Sequence, residues 1–490
     1  GDPDMALNSL ERYLVELNPI SLFITETRKQ PAVLTSLIVL FGASRFLAVY
    51  SASTAAETFE LLCHPVYLAN PAHRELLDDR LAAVLKDVTR HEDLFRALRR
   101  FRKREMLRIG LRDLLGKADL TETVGELSNL AEVCLQAAYE RADAELRGRF
   151  GRPLVQEPDG TAISAGFAVI GMGKLGGQEL NFSSDIDLMY VYTADGETEG
   201  VPGPDGSQTN RISNHQYFIK LAEKLSAAIG QNTDDGFVFR VDLRLRPEGQ
   251  RGPLVQSLGG YEIYYESWGQ TWERSALIKA RFVAGDEAVG REFLTRITPF
   301  VYRKYIDFGA IVEIREMKQK INRDVEQKGK THRDVKLGYG GIREIEFLIQ
   351  SLQLIYGGRD RGLREKNSLK ALHTLAQKGL LAYQEVADLS KAYTFLRTVE
   401  HRLQMLNDLQ TQTLPAGEAE LRALARRTGY LEPGQETEML LRDYAFHTRT
   451  VRSLYDNLLS QSAEPHEEEQ DQPDFAVLLG PELGEQEAVA

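Results

Sequence analysis

Apolar positions through roughly the first 150 residues recur at helical spacing. Residues 33–50 carry them three and four apart, with Pro31 just ahead, and predict one helix. Residues 94–115 predict a second long helix, in which Arg99, Arg100, Arg102, Lys103 and Arg104 form a basic run. A run of this kind is expected to line a solvated helix face.

The period changes near Gly151. Residues 151–164 include Gly151, Pro153, Pro158 and Gly160 and read as a linker or turn region. Strand patterns follow over 167–170 and 186–192. Over 237–243 the chain alternates, with Val238, Arg240 and Asp242 on one face and Phe237, Phe239, Val241 and Leu243 on the other. Residues 276–283 predict a fourth strand, and 215–229 a helix between the second and third. The Gly-, Pro-, Asp- and Glu-rich stretch 195–213 reads as a mobile surface loop. From about residue 290 to 460 the pattern is helical again, with an apolar stripe of Ile342, Ile345, Leu348, Ile349 and Leu352. Residues 463–490 hold Glu467, Glu468, Glu469 and Asp471 among three prolines and read as an acidic flexible linker, as though a further domain would normally follow. The expected division is a helical region over 1–160, a core over 161–288, a helical bundle over 289–462 and the tail 463–490.

Composition narrows the classes. A net charge of −12 argues against a general nucleic-acid binder. Cys63 and Cys134 are the two cysteines, which supports neither a disulfide framework nor a cysteine zinc site. The nine histidines are scattered, with none four residues from another. No signal peptide opens the chain, and its best apolar run, 34–47, is too short for a bilayer and is broken by Ser36, Gly42, Ser44 and Arg45. A reduced, soluble, cytoplasmic protein without a membrane partner is expected.

The chemistry gathers in 171–187, GMGKLGGQELNFSSDID. Gly171, Gly173 and Gly176 match G-x-G-x-x-G after a strand, but only residues 178–184 separate them from the next strand. A dinucleotide-binding crossover needs a full helix there. A P-loop needs Ser or Thr after its lysine, where Lys174 is followed by Leu175. Metal chemistry fits better. Asp185 and Asp187 are two apart at a strand start and so share a face, and Asp242 supplies a third acid from another strand. Three such carboxylates suit a two-metal site for displacement at phosphorus, with Mg²⁺, or Mn²⁺ in its place. The competing reading is that these acids cap turns or pair with Arg244 and Arg246. Gly173, Lys174, Gly176, Gly177, Ser183, Ser184, Arg244, Arg246 and Lys279 are candidate phosphate ligands, since close-approaching backbone N–H groups, hydroxyls and cations all suit phosphate oxygens. For Arg281 a surface salt bridge is the better reading.

The stretch GMGKLGGQELNFSSDIDLMYVY resembles the signature of the glutamine synthetase adenylyltransferase and adenylyl-removing family. DDGFVFRVDLRLRPEGQRGPLVQSLGGYEIYY, WERSALIKARFVAGD, LGYGGIREIEFLIQSLQLIYGG and LRTVEHRLQMLNDLQTQTLP are similar to further blocks of it, as are LFGASRFLA and LRRFRKREMLRIGLRDLLG upstream. The resemblance spans about residues 30–460. It implies an α+β fold, with a mixed-sheet nucleotidyltransferase core of the DNA polymerase β type between N-terminal helices and a C-terminal helical bundle. Members carry two such domains: an N-terminal one that removes AMP from a glutamine synthetase tyrosine with phosphate, releasing ADP, and a C-terminal one that adds AMP from ATP. This chain holds one signature, and its wording N-F-S-S-D-I-D is closer to the removing half, so a truncated chain is expected. The metal acids carry over to Asp185 and Asp187, and to Asp242 as the third. Partners implied are adenylylated glutamine synthetase and the PII signalling protein, with phosphate, ADP and ATP as small ligands. The alternatives are an ATP-dependent adenylyltransferase and a non-catalytic docking module. For Arg343, Glu344 and Glu346, a helix surface and a part in the site remain open.

Overall fold

A computed structural model describes residues 1–460, apart from 65, 205, 206 and the span 305–331, of which only 316, 319 and 323 are described. The predicted tail 463–490 therefore lies outside the described residues. The chain divides into two compact units. The first comprises 1–269, 279–300 and 404–410, and the second 270–278, 301–403 and the residues from 411 on. Among the described residues no helix is long and apolar enough to cross a membrane.

The first unit begins with helices. The single helix expected over 33–50 is two, α1 (Pro31–Ala43) and α2 (Arg45–Ser53). Ser44 separates them in an extended conformation, its Oγ accepting the Leu47 N–H as a helix N-cap. Two long helices follow, α3 (His91–Leu114) and α4 (Leu120–Phe150). Asp119 caps α4, and Gly151, at φ 74°, ends it in a conformation that favours glycine.

The basic run on α3 is not a solvated face. Arg99 and Arg102 are buried, at 0% and 3% exposure, while Arg100 stays at the surface. Burial is tolerated because acceptors meet the guanidiniums inside, at every nitrogen of Arg99 and at both terminal nitrogens of Arg102. Arg99 donates to the carbonyls of Gly236 (2.6 Å), Phe95 (2.9 Å) and Ala228 (3.1 Å), and also to that of Gln231. Arg102 forks onto Asp408 at 3.0–3.3 Å.

The main sheet is mixed. Its strands are β1 (Phe167–Gly171), β2 (Ile186–Tyr192), β3 (Val241–Asp242), β4 (Gln256–Ser257) and β5 (Arg281–Gly285), in the order β5-β1-β2-β3, with β4 also on β2. β1 runs antiparallel to β2 and β5, whereas β3 and β4 run parallel to β2. The antiparallel β1–β2 pair rules out a dinucleotide-binding crossover between them, which joins parallel strands. β1 is buried along its whole length, and Phe167 stacks on Phe218 and Tyr139, from the helix α5 (Asn214–Gly230) and from α4. Helices and sheet share one apolar core.

Further expected elements differ: the linker or turn region over 151–164 holds a strand pair, Pro153–Gln156 against Ala162–Ser164. The strand expected over 237–243 shortens to β3, because the N–H groups of Val238 and Phe239 bond to the Ile229 carbonyl rather than to a strand. The strand expected over 276–283 starts at Arg281, since a Gln270–Glu273 capping box turns Thr271–Leu277 into a helix. The loop expected over 195–213 contains short paired strands, Val201–Pro202 against Gln208–Thr209 among them.

The second unit has its own apolar core. The stripe Ile342, Ile345, Leu348, Ile349 and Leu352 is buried on α6 (Ile342–Tyr356). Glu344 is buried beside it, bound by Arg452 at 2.7 Å and by the Gly340 N–H at 3.0 Å. Burial pushes its carboxyl above the usual range, against the opposing pull of Arg452. Glu344 thus anchors α6 to the helix Glu436–Ser460.

Candidate active site

β2 and β3 lie side by side in parallel register, Ile186 opposite Val241 and Asp187 opposite Asp242. Neighbouring strands are about 4.8 Å apart, so the two carboxylates occupy adjacent places on one face. Asp185 and Arg240 stand just before the two strands and form the next rung by pairing with each other at 2.6 Å, and Arg244 lies in the turn after β3. Like charges directly opposite are unfavourable on a sheet unless a cation intervenes.

Arginines supply that cation in this structure. Arg240 donates to Asp185 at 2.6 Å and to the Ser183 carbonyl and hydroxyl. Arg244 donates to Asp242 through its backbone N–H at 2.8 Å and through its guanidinium at 2.5–3.0 Å. Partial burial raises the Asp242 carboxyl, but the Arg244 side chain and N–H, with Arg246, outweigh it and hold it below its ordinary value. Arg244 itself is 67% exposed, and surface pairs of this kind contribute little net energy. A divalent cation could therefore displace it. Among the described residues no group of three or more Asp, Glu, His or Cys side chains is gathered so that it could hold a metal ion. The donor set that suits a hard cation is the Asp187–Asp242 pair, with Asp185 on the next rung drawn toward Arg240.

The glycine turn sits against this face. Its first residues form one helical turn, Gly173–Gly176. The Met172 N–H donates to the Asp187 carbonyl at 2.8 Å. A Cβ on Gly173, which has φ 51°, would lie 2.7 Å from Asp187 Oδ2. Gly176 is pressed on the Lys279 carbonyl, 1.9 Å from where its Cβ would be. Gly177 closes the turn, its N–H bonded to the Gly173 carbonyl.

The candidate phosphate ligands are placed unequally. Lys174 is half-buried in the turn beside Asp187. Ser183 and Ser184 immediately precede Asp185; Ser183 donates its N–H to Gln404 Oε1 at 3.4 Å, and the Ser184 hydroxyl accepts the Asn181 N–H at 3.3 Å. Arg246 points at the chain's own backbone, donating to the carbonyls of Leu243, Gln250 and Gly252. Lys279 is buried in an ion pair with Glu179 at 2.7 Å. Arg281 is not a surface pair: it reaches the turn's carbonyls and the buried Glu132.

Residues 404–410 were not singled out by sequence reasoning, although they lie within one of the similar blocks. Besides the Gln404 contact, Gln410 Nε2 lies 3.4 Å from Asp185 Oδ2. Asp408 holds Arg102, and the Met405 carbonyl accepts the Ser44 hydroxyl at 2.6 Å.

Residues 34–296 match the glutamate–ammonia ligase adenylyltransferase family, and residues 315–459 match the PII-uridylyltransferase family. Similar curated proteins are named bifunctional glutamine synthetase adenylyltransferase/adenylyl-removing enzyme. That of Thioalkalivibrio sulfidiphilus is 44% identical over 80% of this chain and 39% of its own length. That of Pseudomonas aeruginosa is 45% identical over 77% and 37%, and that of Shewanella loihica 38% identical over 87% and 45%. The chain thus spans less than half the length of these relatives. With more than half of its residues matched to one family, across the helices, the glycine turn and all three acids, this chain belongs to the glutamate–ammonia ligase adenylyltransferase family.

Proposed function

We propose that this chain removes AMP from the adenylylated tyrosine of glutamine synthetase by phosphorolysis, on a nucleotidyltransferase-type core. The observation that carries the reading is the in-register pair Asp187–Asp242, two like charges held side by side beneath a glycine turn. The names of the relatives, which join adenylyl transfer and adenylyl removal to glutamine synthetase, support the substrate. The wording of the 181–187 motif, closer to the family's removing half, supports the direction. The match of 315–459 to the PII-uridylyltransferase family supports PII as a regulatory partner.

Asp187 and Asp242 would hold Mg²⁺ or Mn²⁺, with Asp185 joining them once it is released from Arg240. Bound there, the cation would neutralise charge on the phosphodiester and the incoming phosphate. The chain's own residues do the positioning. The N–H groups and Lys174 of the turn hold the anionic phosphate, together with Arg244 once it is released from Asp242. Ser183 and Ser184 set the approach to Asp185. An oxygen of hydrogen phosphate attacks the AMP phosphorus, the phosphorus–oxygen bond to tyrosine breaks, and the phenolate leaves with the proton that the attacking phosphate gives up. Phosphate and AMP-tyrosine become ADP and tyrosine; water in place of phosphate would yield AMP.

The test is incubation of the chain with adenylylated glutamine synthetase and Mg²⁺, with and without phosphate. Phosphate-dependent ADP is expected. Consumption of ATP to modify unmodified synthetase, with no ADP released from the modified form, would instead establish the adenylyltransferase direction.

A further inference from the structure

We propose that Arg281, held from behind by Glu132, is a positioning residue that fixes the glycine turn over Asp187 and thereby sets the preference for phosphate over water. The inference rests on the reading of the turn as the phosphate cradle.

The turn cannot hold itself. Gly173–Gly176 is a single helical turn rich in glycine, and one turn alone does not repay its ordering entropy. The chain that follows closes part of it, the Glu179 N–H donating to the Lys174 carbonyl at 2.7 Å and the Gln178 N–H to that of Leu175 at 3.2 Å. Carbonyls at a helix end also take donors from outside, and Arg281 supplies them at Leu175 and Gly176. Its Nε donates to the Gly176 carbonyl at 3.0 Å and its Nη2 to the Leu175 carbonyl at 2.9 Å. A cation at a helix C-terminus is also favoured by the peptide dipoles.

The guanidinium is fixed in turn. Its Nη2 donates to Glu132 at 2.5 Å, on α4, where the carboxylate is 1% exposed. Glu132 also takes Arg74 at 2.7 Å, so its charge is balanced from two sides. Buried charges are tolerated when they are paired in this way. β5 places the arginine: Arg281 is in register with Gly171, the last residue before the turn region. Two residues earlier, the Lys279–Glu179 pair and the contact of Gly176 on the Lys279 carbonyl pin the far side of the turn.

The other end of the turn meets the reacting face. Gly173 lies against Asp187 Oδ2, and the Met172 N–H binds the Asp187 carbonyl. A shift at Leu175 and Gly176 is therefore passed to the groups that would hold phosphate, without Arg281 touching it.

The experiment uses the full chain with adenylylated glutamine synthetase. Arg281→Met removes both carbonyl bonds; Arg281→Lys keeps the charge but not the planar fork. KM for phosphate, kcat, the ADP-to-AMP product ratio and thermal stability are measured, with ADP binding by calorimetry in parallel. Arg281→Met is expected to raise KM for phosphate and weaken ADP binding about tenfold, less than the ~100-fold that a misplacement of about 1 Å costs. The product ratio should shift toward AMP. Arg281→Lys should lie between, and Glu132→Gln should move the same quantities the same way. A loss of folded protein lowers ADP and AMP formation together and leaves their ratio alone. An unchanged ratio, KM and ADP affinity in Arg281→Met would overturn the proposal and leave Arg281 a structural residue. If the wild-type chain releases no ADP, the phosphorolysis reading fails by itself, and the positioning reading is then decided by ADP affinity, which must still fall in Arg281→Met.

Discussion

Arg102 and Asp408 make the sharpest stability test, because both are taken almost out of water. Their side chains are 3% and 9% exposed, joined by three contacts at 3.0–3.3 Å. The Arg102 guanidinium also lies 5.5–5.7 Å from the rings of Phe46, Phe237 and Phe239. Asp408→Asn keeps the shape and removes the charge, leaving a buried cation without its counterion. Breaking a buried pair from one side costs about 3–5 kcal/mol. The aromatic faces still stabilise the cation by about 0.5–1 kcal/mol each, and the amide oxygen keeps one acceptor, so the low end, about 3 kcal/mol, is expected. With urea m values of about 1–3 kcal/mol/M, the midpoint of the first unit's transition should fall by about 1 M or more, with m unchanged. The double variant Arg102→Met/Asp408→Leu removes both charges and should be less destabilised than the sum of its singles by ~2 kcal/mol. Circular dichroism during urea titration reads both. A shift under about 0.3 M for Asp408→Asn, or strict additivity in the double variant, would refute the burial argument.

Asp187→Asn should cut phosphate-dependent ADP release on the order of a hundredfold and abolish the rise in melting temperature caused by Mn²⁺; a surviving rise would place the cation elsewhere. Gly176→Ala drives a Cβ into the Lys279 carbonyl, 1.9 Å away. Backbone cannot yield as a side chain does, so melting temperature should drop and ADP affinity should fall with it; wild-type values for both would contradict the packing described. Asp242 has its folded pKa held below its ordinary value of 3.8, so its contribution to stability is present above that value and is lost as pH falls through the folded one. Arg244→Met leaves the burial and removes the stabilising arginine, and the Asp242 carboxyl, followed by carbon NMR, should titrate at higher pH; an unmoved titration would show that the pairing is absent in solution.

Much of the local structure was legible from pattern. The β2 strand spans 186–192 as its β-branched and aromatic run predicts, and the few residues 178–184 between the glycines and that strand leave no room for a crossover, in keeping with the antiparallel β1–β2 pair. These features depend on neighbours within a few residues, so periodicity and turn chemistry expose them. The run over 276–283 misled because a short apolar stretch suits helix and strand alike, and capping by Gln270 and Glu273 settled part of it as helix. The arginines of α3 misled for a different reason. The partner of Arg102 is 306 residues away and a carbonyl bound by Arg99 is 137 away. The same distance hid Glu132 behind Arg281, 149 residues apart, and Gln410 beside Asp185, 225 apart. By itself the sequence determined the strands over 167–170 and 186–192 and the helix over 215–229, and named the acids and the turn of the candidate site. Tertiary structure alone decided which cations are spent inside and which face the site, because an arginine's role is set by the acceptors that packing brings to it, and those have no period along the chain.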